Sequence, residues 1–76
     1  MNNYKTKLLD VIALLEDIPA KKLTRGEIGT VVELLAPGVF EVEFSDKDGR
    51  AYAFAAIRDE QLIVLHRQGK TWRIAA

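Results

Sequence analysis

Residues 38–46 read Gly-Val-Phe-Glu-Val-Glu-Phe-Ser-Asp, and this stretch constrains the fold more than any other. Phe40, Val42 and Phe44 alternate with Glu41 and Glu43. A period of two is that of a β-strand with one buried face and one wet face. An α-helix would spread the three large apolar side chains around its axis. Pro37-Gly38 ahead of the stretch signals a turn. Asp46-Lys47-Asp48-Gly49 behind it ends in the Asp-Gly pair favoured where a hairpin tip needs positive φ. Beyond it, residues 51–57 alternate again. Tyr52, Phe54 and Ala56 fall on one face, and Ala51, Ala53 and Ala55 on the other. A loop this short is compatible only with antiparallel pairing of the two strands.

The flanks extend the β pattern. Ile28-Gly29-Thr30-Val31-Val32-Glu33-Leu34-Leu35 is rich in β-branched residues and reads as a strand. Gly29 marks a bulge or a close backbone approach within it. Arg58-Asp59-Glu60-Gln61 has room for one helical turn, followed by a short apolar strand from Leu62 to Leu65. Gln68-Gly69-Lys70 is a turn, after which Thr71-Trp72-Arg73-Ile74 has room for a last short strand folding back as a hairpin. Leu8 to Ile18 fits two readings. Leu8, Val11, Ile12, Leu15 and Ile18 have helical spacing, whereas Val11 to Glu16 also suits a buried strand. A strand is more consistent with the four already found. A short helical lead-in across Tyr4 to Leu9 is compatible with it.

The expectation is therefore one all-β domain over residues 1–76, a small barrel of five strands with a sixth at Trp72. Residues 1–9 form a flexible or helical lead-in, and residues 67–76 a basic tail or hairpin strand. The expected core is Val11, Ala13, Leu15, Ile28, Val32, Leu34, Phe40, Val42, Phe44, Phe54, Leu62 and Val64. The chain has 76 residues, so a second core has no room to form. Without cysteine there is no disulfide scaffold, zinc-thiolate site or catalytic thiol. No apolar run reaches the roughly 18 residues that cross a bilayer. Residues 1–7 lack the apolar stretch of a secretory signal, so a soluble cytoplasmic domain is expected.

Lys plus Arg and Asp plus Glu both number 11, but the balance is uneven along the chain. Lys5, Lys7, Lys21, Lys22 and Arg25 make the first third basic. Glu27, Glu33, Glu41, Glu43, Asp46, Asp48, Asp59 and Glu60 make the middle acidic. Arg67, Lys70 and Arg73 make the end basic.

Five strands, a long loop after the first and a helical turn before the last resemble an SH3-like barrel. Gly26-Glu27-Ile28-Gly29-Thr30-Val31-Val32-Glu33 resembles the G-x-x-G-x-V element of KOW-type barrels. More specifically, the chain resembles a family of small uncharacterised bacterial proteins, a domain of unknown function. The matching pieces are residues 10–19 (Asp-Val-Ile-Ala-Leu-Leu-Glu-Asp-Ile-Pro) and 25–33 (Arg-Gly-Glu-Ile-Gly-Thr-Val-Val-Glu). Residues 40–46, Gly49-Arg50 and Gln61-Leu62 continue the match. It covers roughly residues 10 to 66 and leaves the tail from Arg67 outside. The resemblance implies the barrel and no established activity. Family members resemble companions of neighbouring small genes, which implies a protein partner.

Motifs for chemistry fail on inspection. The serine, Ser45, starts a hairpin turn, and the histidine, His66, follows the last core strand, so the pair makes no triad. In Asp46-x-Asp48-Gly49, a calcium loop would put Phe44 and Ala55 at ligand positions. Gly69-Lys70-Thr71 lacks the earlier glycine of a phosphate loop, with Val64 in its place. Gly26-x-x-Gly29 enters a strand rather than joining two helices as in a KH clamp. Glu41 and Glu43 point outward, solvated like Glu33. No enzyme, cofactor or metal is expected. The expected function is a protein-interaction module, with Lys21, Lys22, Arg25, Glu41, Glu43, Tyr52 and Trp72 as partner-binding candidates. It is expected to be a monomer or weak homodimer without membrane contact. The alternative, a KOW-like nucleic-acid-binding domain, is disfavoured by the acidic middle.

Overall fold

A computed structural model of the chain describes residues 4–75. Six strands form one antiparallel sheet: β1 (Val11–Leu14), β2 (Ile28–Ala36), β3 (Val39–Ser45), β4 (Ala51–Arg58), β5 (Leu62–Gln68) and β6 (Thr71–Ile74). Their order across the sheet is β4-β3-β2-β1-β5-β6. The sheet curls into a half barrel, a small all-β fold. The described residues hold no α-helix, and 3-10 turns at Pro19–Lys21 and Asp59–Gln61 are the helical elements. The helical lead-in expected at Tyr4 to Leu9 is absent, since residues 4–7 are irregular and Leu8-Leu9 is a turn. The expected helical turn ahead of β5 and the sixth strand at Trp72 are both present.

The turns follow their residues. Gly38 (φ 74°), Gly49 (φ 83°) and Gly69 (φ 63°) supply the left-handed conformations of the three hairpins. Asp46 closes the β3–β4 loop, its Oδ1 accepting from the N–H groups of Asp48 at 2.9 Å and Arg50 at 3.0 Å. That carboxylate is thus occupied by the turn. The long loop after β1 is tied by a bridge between Ile18 and Leu23, and it drops Leu23 into the core at 2% exposure.

The core lies on the concave face. It comprises Ile12, Leu14, Leu23, Val31, Phe40, Val42, Phe44, Ala55, Ile57, Leu62, Val64 and Ala75. Phe40, Val42, Phe44, Leu62 and Val64 are as expected. The other expected core residues are corrected: Val11, Ala13 and Val32 are half-buried, and Leu15, Ile28, Leu34 and Phe54 are exposed. On β1, β2 and β4 the buried face is largely the one opposite to that expected.

The register explains the reversal. Phe44 on β3 pairs with Gly29 on β2 and with Ala53 on β4. Gly29 in turn pairs with Ile12, and Ile12 with Val64. One row on the concave face thus runs Val64, Ile12, Gly29, Phe44, Ala53. A curled sheet has little room on its inner side, and a phenyl ring there needs small neighbours. Gly29 and Ala53 provide them. The aromatic residues of β4 are thereby turned outward.

Candidate functional site

The same register lays out the convex face. Leu65 pairs with Val11 and Ile74, Val11 with Thr30, Thr30 with Glu43, and Glu43 with Phe54. Paired residues point to the same side, so Ile74, Leu65, Val11, Thr30, Glu43 and Phe54 form one row across all six strands. Two residues along each strand, a second row holds Ile63, Ala13, Ile28 and Tyr52. On the opposite side, a third holds Trp72 and Arg67 at one end and Glu41 and Ala56 at the other, with Glu33 paired to Glu41. Phe54 and Ile28 are each 48% exposed, and Ile74, Tyr52 and Trp72 are exposed too. This is more than the scattered surface leucine of an ordinary domain. The apolar residues are contiguous across strands, as in an interaction surface.

Glu33 and Glu41 are directly opposite on β2 and β3. Like charges in that relation destabilise a sheet. The ion pairs among the described residues are Lys7–Asp10 and Arg58–Glu60, and neither reaches these glutamates. At the other end of the face, Arg67 stands over the Trp72 ring at 5.7 Å and donates to the Gly69 carbonyl at 3.0 Å. The face is therefore apolar in the middle, acidic at β2–β3 and cationic at the β5–β6 hairpin.

Tyr52 is fixed rather than loose. Its hydroxyl donates to Glu27 Oε1 at 2.7 Å. Glu27 Oε2 accepts from the Thr24 N–H at 2.6 Å and the Thr24 hydroxyl at 2.7 Å. The Thr24 N–H, then the Tyr52 and Thr24 hydroxyls, hold the Glu27 carboxyl below its usual range. The Glu27 hydrogen bond, with some burial, pushes Tyr52 up to about 12. The signs are opposite at the two ends of the pH scale. The Glu27 contribution is present above its ordinary carboxylate value and is lost as pH falls through its lowered one. The Tyr52 contribution is complete below its ordinary value of 10 and is lost as pH rises through about 12. In a Tyr4→Phe background, tyrosinate absorbance should place Tyr52 ionisation near 12, and Glu27→Gln should return it toward 10. A titration near 10 in both proteins would show that the hydrogen bond does not form.

The expected binding residues fall in three places. Glu41, Glu43 and Tyr52 are on the convex face at its β3–β4 end. Trp72 is on the same face at the opposite end. Lys21, Lys22 and Arg25 lie apart, exposed in the loop between β1 and β2. There the Arg25 N–H donates to Asp17 Oδ1 at 2.8 Å. Ile28, Phe54 and Leu65 belong to the face and were assigned elsewhere by sequence. Their signal was present in the unbroken apolar runs, which carry enough apolar residues for two faces.

Other features are less complete. Ser45 and His66 lie on β3 and β5, three strand spacings or about 14 Å apart. The His66 ring instead meets Tyr4 edge to face at 4.8 Å. A groove of about 490 Å³ opens beside Leu34, Leu35, Pro37 and Phe40, with Lys5 and Asp59 at its rim. Asp59 Oδ1 accepts the Thr6 hydroxyl at 2.8 Å. Among the described residues no cluster of His, Asp and Glu converges as a metal site would. No helix among them is long and apolar enough to cross a membrane.

The family comparison agrees with the extent of the fold. A model for a domain of unknown function, DUF4926, matches residues 8–64. The chain belongs to the DUF4926 family. No curated protein and no solved structure matches it. The DUF4926 match runs from just before β1 into β5 and ends at Val64. The β5–β6 hairpin, with Arg67 and Trp72, lies beyond the matched residues yet continues the same sheet.

Proposed function

We propose that this DUF4926 domain is a small non-catalytic protein-interaction module of the cytoplasm, companion to a neighbouring gene product, and that it binds through the convex face of its sheet. The observation that carries the reading is the exposed apolar row across the sheet, with Ile28 and Phe54 each 48% exposed beside Val11, Leu65 and Ile74. Apolar surface of this extent costs solubility in isolation and is covered when a partner binds. The order β4-β3-β2-β1-β5, with the long loop after β1 and the 3-10 turn before β5, supports the SH3-like barrel reading. Small barrels of that kind act mainly as binding platforms.

The test is affinity capture from the native host with a tagged bait, comparing wild type with Ile28→Asp/Phe54→Asp. Wild type should recover a specific protein, and the double variant should lose it while staying folded. Recovery of nothing above background, or of the same set by both baits, would contradict the reading.

One observation favours nucleic acid as a second reading. The β5–β6 hairpin stacks Arg67 on an exposed Trp72, with Lys70 and Arg73 on the same hairpin. Against it, Glu33, Glu41 and Glu43 place uncompensated negative charge on the same face, which repels phosphate.

A further inference from the structure

The convex face carries information about what covers it, and this inference rests on that face being the binding surface. Its charge is arranged in opposite halves. Glu33, Glu41 and Glu43 lie on β2–β3, and Arg67 lies on β5, with β1 and part of β2 as an apolar strip between. A surface with both signs at equal distances from an apolar centre is complementary to itself.

Two sheets pack face to face with their strands roughly aligned. Two kinds of two-fold axis within the interface allow this. An axis across the strands would lay β3 on β3 and set Glu41 against its own copy. An axis along the strands, between β1 and β2, exchanges the two halves. It sets β1 over β2, β5 over β3 and β6 over β4 of the second copy. The register then fixes the pairs. Arg67 lies over Glu41, Trp72 over Ala56, Ile74 over Phe54, Val11 over Thr30 and Ala13 over Ile28.

Size and charge are both complementary in these pairs. The largest side chain of the hairpin meets an alanine, and the cation meets a carboxylate that has no cation of its own in the monomer. Zero net charge leaves no long-range repulsion between copies. A domain of 76 residues without a disulfide also has stability to gain from association. We infer that the occupant of the convex face is a second copy of this chain, packed about a two-fold axis along the strands with Arg67 of each copy on Glu41 of the other.

The experiment is a charge exchange followed by sedimentation velocity from about 10 to 500 µM. Wild type should dimerise within that range. Glu41→Arg and Arg67→Glu should each weaken the dimer by about tenfold or more, and the combined variant should recover most of the loss. Circular dichroism melts check that each variant is folded. A wild type that stays monomeric at 500 µM would overturn the proposal and leave the protein-partner reading to be judged by its own capture result. A dimer indifferent to both single changes, as when two copies join at the free edge of β4, would overturn it equally. Single losses without recovery in the combined variant would also overturn it, because the two residues would then not meet.

Discussion

Phe44→Ala should cost about 3–5 kcal/mol of folding stability, close to all that this chain has. Phe44 is fully buried on the concave face, between Gly29 of β2 and Ala53 of β4. Its ring fills the space that those two small residues leave. Neither neighbour has a side chain that can move into the vacancy. The cavity therefore stays open, and the loss adds a cavity cost to the transfer of the ring. A domain of this size is stabilised by roughly 4–11 kcal/mol in total. Urea denaturation should show a midpoint shifted far down or a chain already unfolded in buffer. An unchanged midpoint would contradict the placement of Phe44 in the core.

Gly29→Ala should also destabilise, by about 1–3 kcal/mol or more. The sign is informative, because a glycine in an unconstrained strand gains about 0.5–1 kcal/mol on becoming alanine. At Gly29 an added Cβ would come within 2.6 Å of Val42 Cγ1, 2.9 Å of the Glu43 carbonyl oxygen and 2.9 Å of Phe44 Cδ2. The two side chains can yield a little. The carbonyl oxygen belongs to the β2–β3 ladder and yields only if the strands separate. Phe44→Leu should therefore relieve part of the Gly29→Ala cost and leave the remainder. A neutral or stabilising Gly29→Ala would show that β2 and β3 are not this close.

These two residues also explain what was legible in the sequence. The strand Val39–Ser45 carries glutamates at alternate positions, so its buried face is unambiguous, and Phe40, Val42 and Phe44 are where alternation puts them. The hairpin turns and the 3-10 turn before β5 follow from glycine, Asp-Gly and a short polar run. The faces of β1, β2 and β4 were not legible from alternation. Val11-Ile12-Ala13-Leu14 has apolar residues on both sides, and so does Ile28 to Val32. On β4 the larger residues, Tyr52 and Phe54, suggest the core, but the concave side has room only for Ala53, Ala55 and Ile57. Gly29 held the missing signal. A glycine inside an apolar strand marks the face on which a neighbour comes close, and that fixes Gly29 and Val31 inward and Thr30 outward. Leu23, solitary among Lys22, Thr24 and Arg25, was a second such signal for a loop residue entering the core.

The residues that sequence placed in the core and the structure places outside are largely those of the convex face. The misassignment and the candidate site thus have one cause. A sheet with one working face alternates, whereas a sheet with two does not.

Leu9 adds a smaller sign of the same kind. It is 72% exposed and holds a left-handed φ of 70° just before β1. That conformation costs a leucine about 1–2 kcal/mol. Nothing in the core accounts for it.

The measurement that tests the two-faced sheet most directly is thermal unfolding of Phe44→Asp against Phe54→Asp. The residues are both phenylalanine, on adjacent strands, and differ in the face they occupy. Phe44→Asp should abolish the cooperative transition, because it buries an unpaired carboxylate in the core. Phe54→Asp should melt within a few degrees of wild type, since a half-exposed side chain gives up little on becoming polar. Equal losses from both, or a Phe54→Asp that fails to fold, would place Phe54 in the core and remove the convex face as a binding surface.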